Sequence, residues 1–473
     1  MTGSARHDAV VVETRPAPGP PRPYEFPRFE RHRLANGLGV IAIDLPGRPL
    51  ISASLIVRRG AAEEPDSAGG ATVLMARSLS EGTARYDAIE LVEAAERLGA
   101  SLHAEAGWDA TSASVEVPAE RFGPALELLA EMVGSPTFPE NEVDRLREER
   151  LNDLLQARAD PRRRAEEAFA ATIYAPDSPY HRPLGGLPET VADLTRDDLR
   201  LAHAAMFDPA AMTLIVGGDL LGIDVPGLVA AVLGGWERDA PAAAATPSAR
   251  IVDEAATDRR VVRAVHRPGA VQTEIRIGRR GLPRRIPDFH AVSVMSAILG
   301  GLFDSRLNRK LREEKGYTYG AGAGFDLRRG AGPFSARAAV DNANTVPAVL
   351  DTLAELERIR DSPVTEKELV AARDYLVGVF PLRFETAGAV VGALSGLVVH
   401  ELPDDELARY RPAIAAVDAD DVLAAARGHL DVEAMAVVLV GDVDAFLPAL
   451  ESAGVGPVVV ERDPDPPTGG GQG

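Results

Sequence analysis

Apolar and polar positions along the chain repeat in two similar series. An alternating stretch at Ile51–Val57 has the two-residue period of a strand, and Thr273–Ile277 has it again. Each is followed by an apolar helical pattern, Gly70–Leu79 and then His290–Leu299. Two more strand patterns come next: Ser101–Ala106 with Thr111–Val117 in the first series, Tyr317–Phe325 with Gly332–Val340 in the second. Two long helices follow in both, and an apolar strand closes each series, at Met212–Val216 and Ala434–Val440. Strands interleaved with helix pairs predict an α+β fold, each unit a mainly antiparallel sheet with helices packed on one face.

The two series are copies. DDLRLAHAAMFDPAAMTLIVGGDL ends at Leu220, and DDVLAAARGHLDVEAMAVVLVGDV ends at Val443. Asp198 matches Asp421, Met212 matches Met435 and Asp219 matches Asp442, each pair 223 residues apart. PALELLAEM from Pro124 matches PAVLDTLAEL from Pro347 at the same offset. LIVRRG, ending at Gly60, matches RIGRRG, ending at Gly281, with the small drift that short insertions produce. The pattern divides the chain into a Pro-rich arm expected to be flexible (1–27), a first domain (28–235), an Ala/Pro-rich linker (236–258), a second domain (259–458) and a tail expected to be disordered (459–473). Capping signals support the helices. SPTFPENEVDRLREERL places Pro and acidic residues in a first turn, and Thr365 with Glu368 forms a capping box.

Composition narrows the chemistry. The 473 residues include no cysteine, which excludes disulfides, thiolate metal sites and a cysteine nucleophile. The formal net charge of -20 argues against nucleic acid as a partner. No apolar run has the length needed to span a bilayer, and the N-terminus lacks a signal-peptide pattern, so the expected location is cytoplasmic with no membrane partner. The nine histidines (His7, His32, His103, His181, His203, His266, His290, His400 and His429) include no pair at i,i+3 or i,i+4, and HExxH, HxxEH, GxSxG and GxxxxGK[ST] are all missing. His203, in a helix opposite alanines, reads as packed, and His400, at a helix end, reads as a dipole partner.

A denser segment lies in the second unit: ILGGLFDSRLNRKLREEKGYTYGAGAGFDLRRGAGPFSARAAV. Gly300-Gly301 permits a sharp turn, SRLNRKLREEKG reads as a helix ended by Gly316, and a strand is expected from Tyr317. Arg312 and Tyr319 fall on either side of that corner. Two readings stand: surface groups flanking the corner, or a guanidinium and a phenol converging on a ligand such as a peptide carbonyl.

From about Phe29 to Leu450 the chain resembles the M16 (pitrilysin/insulinase-like, mitochondrial-processing-peptidase-like) zinc peptidases, in particular the bacterial two-subunit branch. The opening LANGLGVIAIDLPGRPLISASLIVRRGAAEEP, the segment SPYHRPLGGLPETVADLTRDDLRLAHAAMFDPAAMTLIVGGDL and the specific LREEKGYTYG carry the resemblance. It implies two homologous LuxS/metallohydrolase-like α/β-sandwich domains. The family's active helix carries His-x-x-Glu-His before a Gly-Thr. Counting back from Gly82-Thr83 places Val73, Ala76 and Arg77 at those three positions. The third-ligand position, on a later helix, falls at Asp153, with Leu154 and Leu155 reached by a slip of one or two residues. A catalytic zinc needs three protein ligands and a carboxylate at its water. Val73 has no lone pair, Ala76 takes no proton and Arg77 is a permanent cation. An Arg77–Asp153 ion pair is the expected replacement. The family's substrate-binding Arg and Tyr align with Arg312 and Tyr319. The resemblance therefore implies a non-catalytic, substrate-binding subunit of a heterodimeric peptidase. An HxxEH-bearing M16 chain would be its partner, an unfolded peptide its substrate, and zinc would sit in the partner with no cofactor in this chain. Strand Ser101–Ala106 corresponds to the edge that receives substrate in active members. An inert scaffold or peptide-binding protein of the same fold, and a subunit of a dedicated leader-peptide-processing protease, are the alternative roles.

Overall fold

The computed structural model describes residues 19, 22–47, 49–236 and 254–462. The first half contains strands β1 (Glu30–Arg33), β2 (Gly39–Asp44), β3 (Leu50–Val57), β4 (Ser101–Ala106), β5 (Thr111–Pro118) and β6 (Met212–Gly218). Its helices are α1 (Ala71–Ser78), α2 (Ala88–Leu98), α3 (Phe122–Gly134), α4 (Glu140–Ala159), α5 (Pro161–Ile173), α6 (Pro188–Ala192), α7 (Arg196–Met206) and α8 (Val225–Leu233). The second half contains β7 (Val262–His266), β8 (Gln272–Arg280), β9 (Ala321–Phe325), β10 (Pro333–Asp341), β11 (Ala436–Gly441) and β12 (Val458–Arg462). Its helices are α9 (Phe289–Ser296), α10 (Thr345–Asp361), α11 (Glu366–Val379), α12 (Ala387–Val399), α13 (Glu406–Ala416), α14 (Ala419–His429) and α15 (Val443–Ala453).

Each half forms one six-stranded, mainly antiparallel sheet, ordered β1-β2-β6-β3-β5-β4 and β12-β7-β11-β8-β10-β9. The copied sequences produce copied registers. Ala53 of β3 faces Val115 and Val216 on its two neighbours, and Ile277 of β8 faces Ala336 and Val437. The outermost strand differs. β1 precedes β2 and pairs with it antiparallel, whereas β12 follows α15 and pairs with β7 parallel.

Each half's own helices pack on one face of its sheet, as the pattern predicts. On the first sheet, Ile51, Ala53, Leu55 and Val57 meet α1, α3 and α7 there. The opposite face is covered by a helix from the other half. Val390, Val391, Leu394 and Leu397 of α12 pack on Ile41, Ile43, Ile56 and Ile215. Reciprocally, Ala165, Ala168, Phe169 and Ile173 of α5 pack on Val265, Ala436, Val438 and Val440. Burying one aliphatic side chain of this size stabilises by about 1.5–3 kcal/mol, so separating the halves would uncover two apolar faces at once. The exchange explains why the alternating β3 is buried on both sides, with Ser52 and Ser54 also covered.

Three expected boundaries change. The arm is packed from Arg22 onward: Tyr24 stacks on Phe384 at 6.2 Å, Phe26 meets the same ring at 5.1 Å, and Arg411 Nη2 donates to Arg22 O. Aromatic area buried against the second half holds residues that the Pro-rich composition assigned to coil. The end of the linker is tied down by a bridge between Ala255 and Tyr174, while 237–253 lie outside the described residues. The start of the expected tail belongs to β12, and 463–473 also lie outside the described residues. Among the described residues no single helix is long and apolar enough to cross a membrane.

Candidate functional site

Helix α1 has a specific entry. Gly70 is left-handed (φ 101°), and a Cβ there would lie 2.8 Å from Gly185 O. Gly186 is left-handed as well (φ 80°), and its Cβ would lie 2.2 Å from Gly69 O. The two Gly-Gly pairs interlock, and Thr190 Oγ1 donates to Gly69 O at 2.7 Å. These glycines answer to backbone contact, not to chemistry. Glu64, with its side chain 3% exposed, accepts from Gly70 N at 3.0 Å and Thr72 N at 2.5 Å. A carboxylate at a helix N-terminus meets the positive end of the dipole. Arg182 Nη2 closes the arrangement, 2.8 Å from Glu64 and 3.0 Å from Ala61 O.

Val73 on this helix is half-buried, Ala76 is buried and Arg77 is exposed. Arg77 Nη2 lies 3.2 Å from Glu149 of α4. The expected Arg77–Asp153 pair is therefore not formed. Glu149 lies one turn before Asp153 on α4 and is the carboxylate that α1 meets. Asp153 is taken by Arg150 Nη1 at 2.5 Å and by both Nη atoms of Arg163 at 2.9 and 3.1 Å. Hydrogen bonds from Arg163, then its charge and that of Arg150, hold the Asp153 carboxyl below the usual range despite partial burial. Leu154 is buried and Leu155 is exposed, and neither offers a lone pair. These residues do not fit a zinc ion. One carboxylate is committed to two guanidiniums, a third cation stands beside it, and the other two positions are hydrocarbon.

The second candidate site is the corner from Gly300 to Tyr319. A π-helical turn (Ala297–Gly301) and a π-helical segment (Asn308–Glu314) flank it. Gly316 is left-handed (φ 66°), as its C′ position predicts, and its N–H bonds Arg312 O at 3.1 Å. The strand begins later than expected, at Ala321, because Asn308 holds its start: Asn308 Oδ1 accepts from Ala321 N at 2.9 Å, and Asn308 Nδ2 donates to Leu302 O and Ser305 Oγ. Arg306 forks onto both carboxylate oxygens of Glu368 at 2.8 and 3.0 Å. Burial works against that carboxylate's charge, but the Arg306 fork and the Thr365 cap bring its pKa down to about 2.

On this frame the two predicted residues do not touch each other. Tyr319 is 97% exposed. Arg312 lies with its guanidinium 3.9 Å from the centre of the Phe303 ring and bonds Glu313 at 2.7 Å. Phe303, itself 79% exposed, was not singled out by sequence reasoning, nor were Arg306, Asn308 and Glu64. The available signal for Phe303 was a large aromatic two residues after Gly300-Gly301, in a turn that does not need one.

The histidines do other work. His203 is half-buried, donates from Nε2 to Val133 O (2.8 Å) and stacks on Phe207 at 4.6 Å, a packed residue as expected. His400 is the C-cap of α12, where a dipole partner was expected, and burial lowers its pKa. His266, Asp442 and Asp444 form the one cluster with metal-like spacing among the described residues. Val443 N–H occupies His266 Nδ1 at 3.2 Å and Arg462 bonds Asp444 at 3.1 Å, so the group reads as the capped start of α15.

Comparison with known proteins is decisive at this point. The family model for insulinase (peptidase family M16) matches residues 40–185, and that for the peptidase M16 inactive domain matches residues 193–376. The chain belongs to the M16 peptidase family. A protein named an uncharacterized zinc protease, from Streptomyces coelicolor, is 26% identical over 409 residues, covering 85% of this chain and 87% of that one. A Helicobacter pylori protein named a non-peptidase homolog is 24% identical, covering 67% of this chain and 72% of that one. Among solved structures, a peptidase M16 inactive domain from Pseudomonas fluorescens superposes with a TM-score of 0.81 at 24% identity, covering 92% of this chain and 100% of that one. A protease from Helicobacter pylori gives 0.78 at 20% identity, covering 88% of this chain and 99% of that one. Both share the fold. Within the M16 family this chain is a non-catalytic, M16-like protein, since its α1 carries neither metal ligands nor a general base.

Proposed function

We propose that this protein is the substrate-binding subunit of a two-chain M16 peptidase, presenting Arg312 and Tyr319 to a peptide whose cleavage is carried out by an HxxEH-bearing partner. The carrying observation is the contrast within one chain. At α1 every charged group is neutralised internally, while at the corner Tyr319 stands free in solvent on a frame held by Arg306 and Asn308. An arginine with five donors and a phenol with one suit a peptide carbonyl that must be fixed for attack from elsewhere. Zinc and the general base belong to the partner in this reading, and the work is placed in the cytoplasm. The name of the Helicobacter relative supports the non-catalytic part.

The test is peptide cleavage by this chain alone, by an HxxEH-bearing M16 chain alone, and by the mixture. Activity is expected only with both chains. Arg312→Ala is expected to lower the mixture's rate about 100-fold, the scale of losing one preorganised donor, with the fold intact. Zinc-dependent hydrolysis by this chain alone would overturn the reading, as would full activity of the Arg312→Ala, Tyr319→Phe double variant.

A further inference from the structure

A cavity of about 520 Å³ lies between the halves, and no residue of the Gly300–Tyr319 corner lines it. Its walls come from α4 and α5, the loop after α5, and the outer face of β10 with the turn before it. Six arginines line it, Arg150, Arg158, Arg163, Arg182, Arg328 and Arg337, against three carboxylates, Glu166, Glu167 and Asp326. That excess is notable in a chain whose formal net charge is -20.

The carboxylates are already engaged. Glu166 pairs with Arg276 at 2.8 Å, Asp326 with Arg328 at 2.6 Å, and Glu167 with Arg164 at 4.0 Å. The guanidiniums are under-served. Arg150 and Arg163 share the single carboxylate of Asp153. Burial, followed by the like charges of Arg163 and Arg77, pulls Arg150 down although Asp153 opposes this. Arg328 Nη1 is buried with no hydrogen-bond partner among the described residues. Arg337 lies over Gly322, its Nε 3.5 Å from where a Cβ would be, and makes no hydrogen bond or ion pair among the described residues.

The other wall is aromatic. Arg328 lies 4.5 Å from the Tyr180 ring centre and 5.0 Å from that of Trp108, with Arg182 5.7 Å from Trp108. Planar forks beside an apolar wall suit a carboxylate attached to a carbon chain. A phosphate site would draw on free helix N–H groups, but those of Arg162 and Arg163 at the start of α5 are occupied by Asp160. We propose that this inter-half cavity binds a peptide through a carboxylate, held by Arg337 and Arg328 with the adjoining residue against Trp108 and Tyr180. The site lies wholly within this chain and does not depend on a partner, so it stands or falls separately from the clamp at Arg312 and Tyr319.

Trp108 supplies the readout, since the chain has only two tryptophans. In full-length Trp236→Phe protein, Trp108 fluorescence would be titrated with three versions of one short uncharged peptide: the free acid, the C-terminal amide, and the amide carrying one glutamate. Saturable change with the free acid and not the neutral amide supports the proposal and assigns the terminal carboxylate. Change with the glutamate amide as well, or alone, supports it and assigns a side-chain carboxylate. Arg337→Ala, on an exposed strand position with no partner to lose, is expected to weaken the Kd about 10-fold, and added salt is expected to weaken it progressively. Equal response to the neutral amide, an equal response to inorganic phosphate, no response to any peptide, or a Kd unchanged by Arg337→Ala would each overturn it.

Discussion

Helix α1 and the Gly300–Tyr319 corner are the two places where the resemblance to M16 peptidases puts candidate chemistry, and the structure of this protein differs between them. At α1 the scaffold is intact: the interlocked glycines, the Glu64 cap and the Arg182 pair all remain. The positions for chemistry are hydrocarbon or internally paired. At the corner the scaffold is equally firm, yet Tyr319 projects into solvent, while Arg312 is stacked on Phe303 and paired with Glu313. Scaffold and chemistry are thus separable, because a cap or a glycine contact serves folding whether or not a metal is bound.

The comparison can be tested by removing scaffold and chemistry in turn. The largest loss is expected from Glu64→Ala. It strips the α1 cap and leaves the buried Arg182 charge unpaired, at a cost of about 3–5 kcal/mol, measured by denaturant unfolding. Arg306→Ala should come next at about 2 kcal/mol, since it removes the buried fork on Glu368, leaves that carboxylate to Arg309 and Thr365, and loosens the corner. If either variant melts like the parent, the frame described here is not what holds that site. Acid should act through buried imidazoles. Burial pushes His203, His290 and His400 below their ordinary value of 6.5. The unfolded chain therefore takes up protons first as pH falls, and stability should decline below about pH 6.5, with His203→Phe flattening part of that slope. Arg77→Ala should cost 1 kcal/mol or less, since its pair with Glu149 is half-exposed. Tyr319→Phe should leave stability unchanged within about 0.5 kcal/mol, because the phenol contacts nothing that folding needs. A large loss from Tyr319→Phe would erase the distinction between frame and function at the corner.

Much of the fold was legible in the chain because its signals are local. The matched offsets, the strand periods and the Thr365–Glu368 capping box are patterns over a few residues, and the sheets follow them. Counting back from the Gly82-Thr83 exit along the M16 motif that the chain resembles placed Val73, Ala76 and Arg77 on one short helix. The partner of Arg77 was misread because one turn along α4 separates Glu149 from Asp153, and only the packing of α4 on α1 selects between them. For His400 the place at a helix end was local and legible, but its burial comes from neighbours far away in sequence.

By itself the sequence determined the doubled architecture and the order of elements, since each depends on residue identity and short spacing; the loss of the metal-ligand set was legible once the chain was set against the M16 motif it resembles. Only the tertiary structure decided that α5 and α12 cross to the opposite sheets, that Asp153 is shared by two arginines, and that arginines from both halves face one cavity. These depend on contacts between residues far apart in the chain. Apolar area and charge choose their partners there by proximity in space, which no local period encodes.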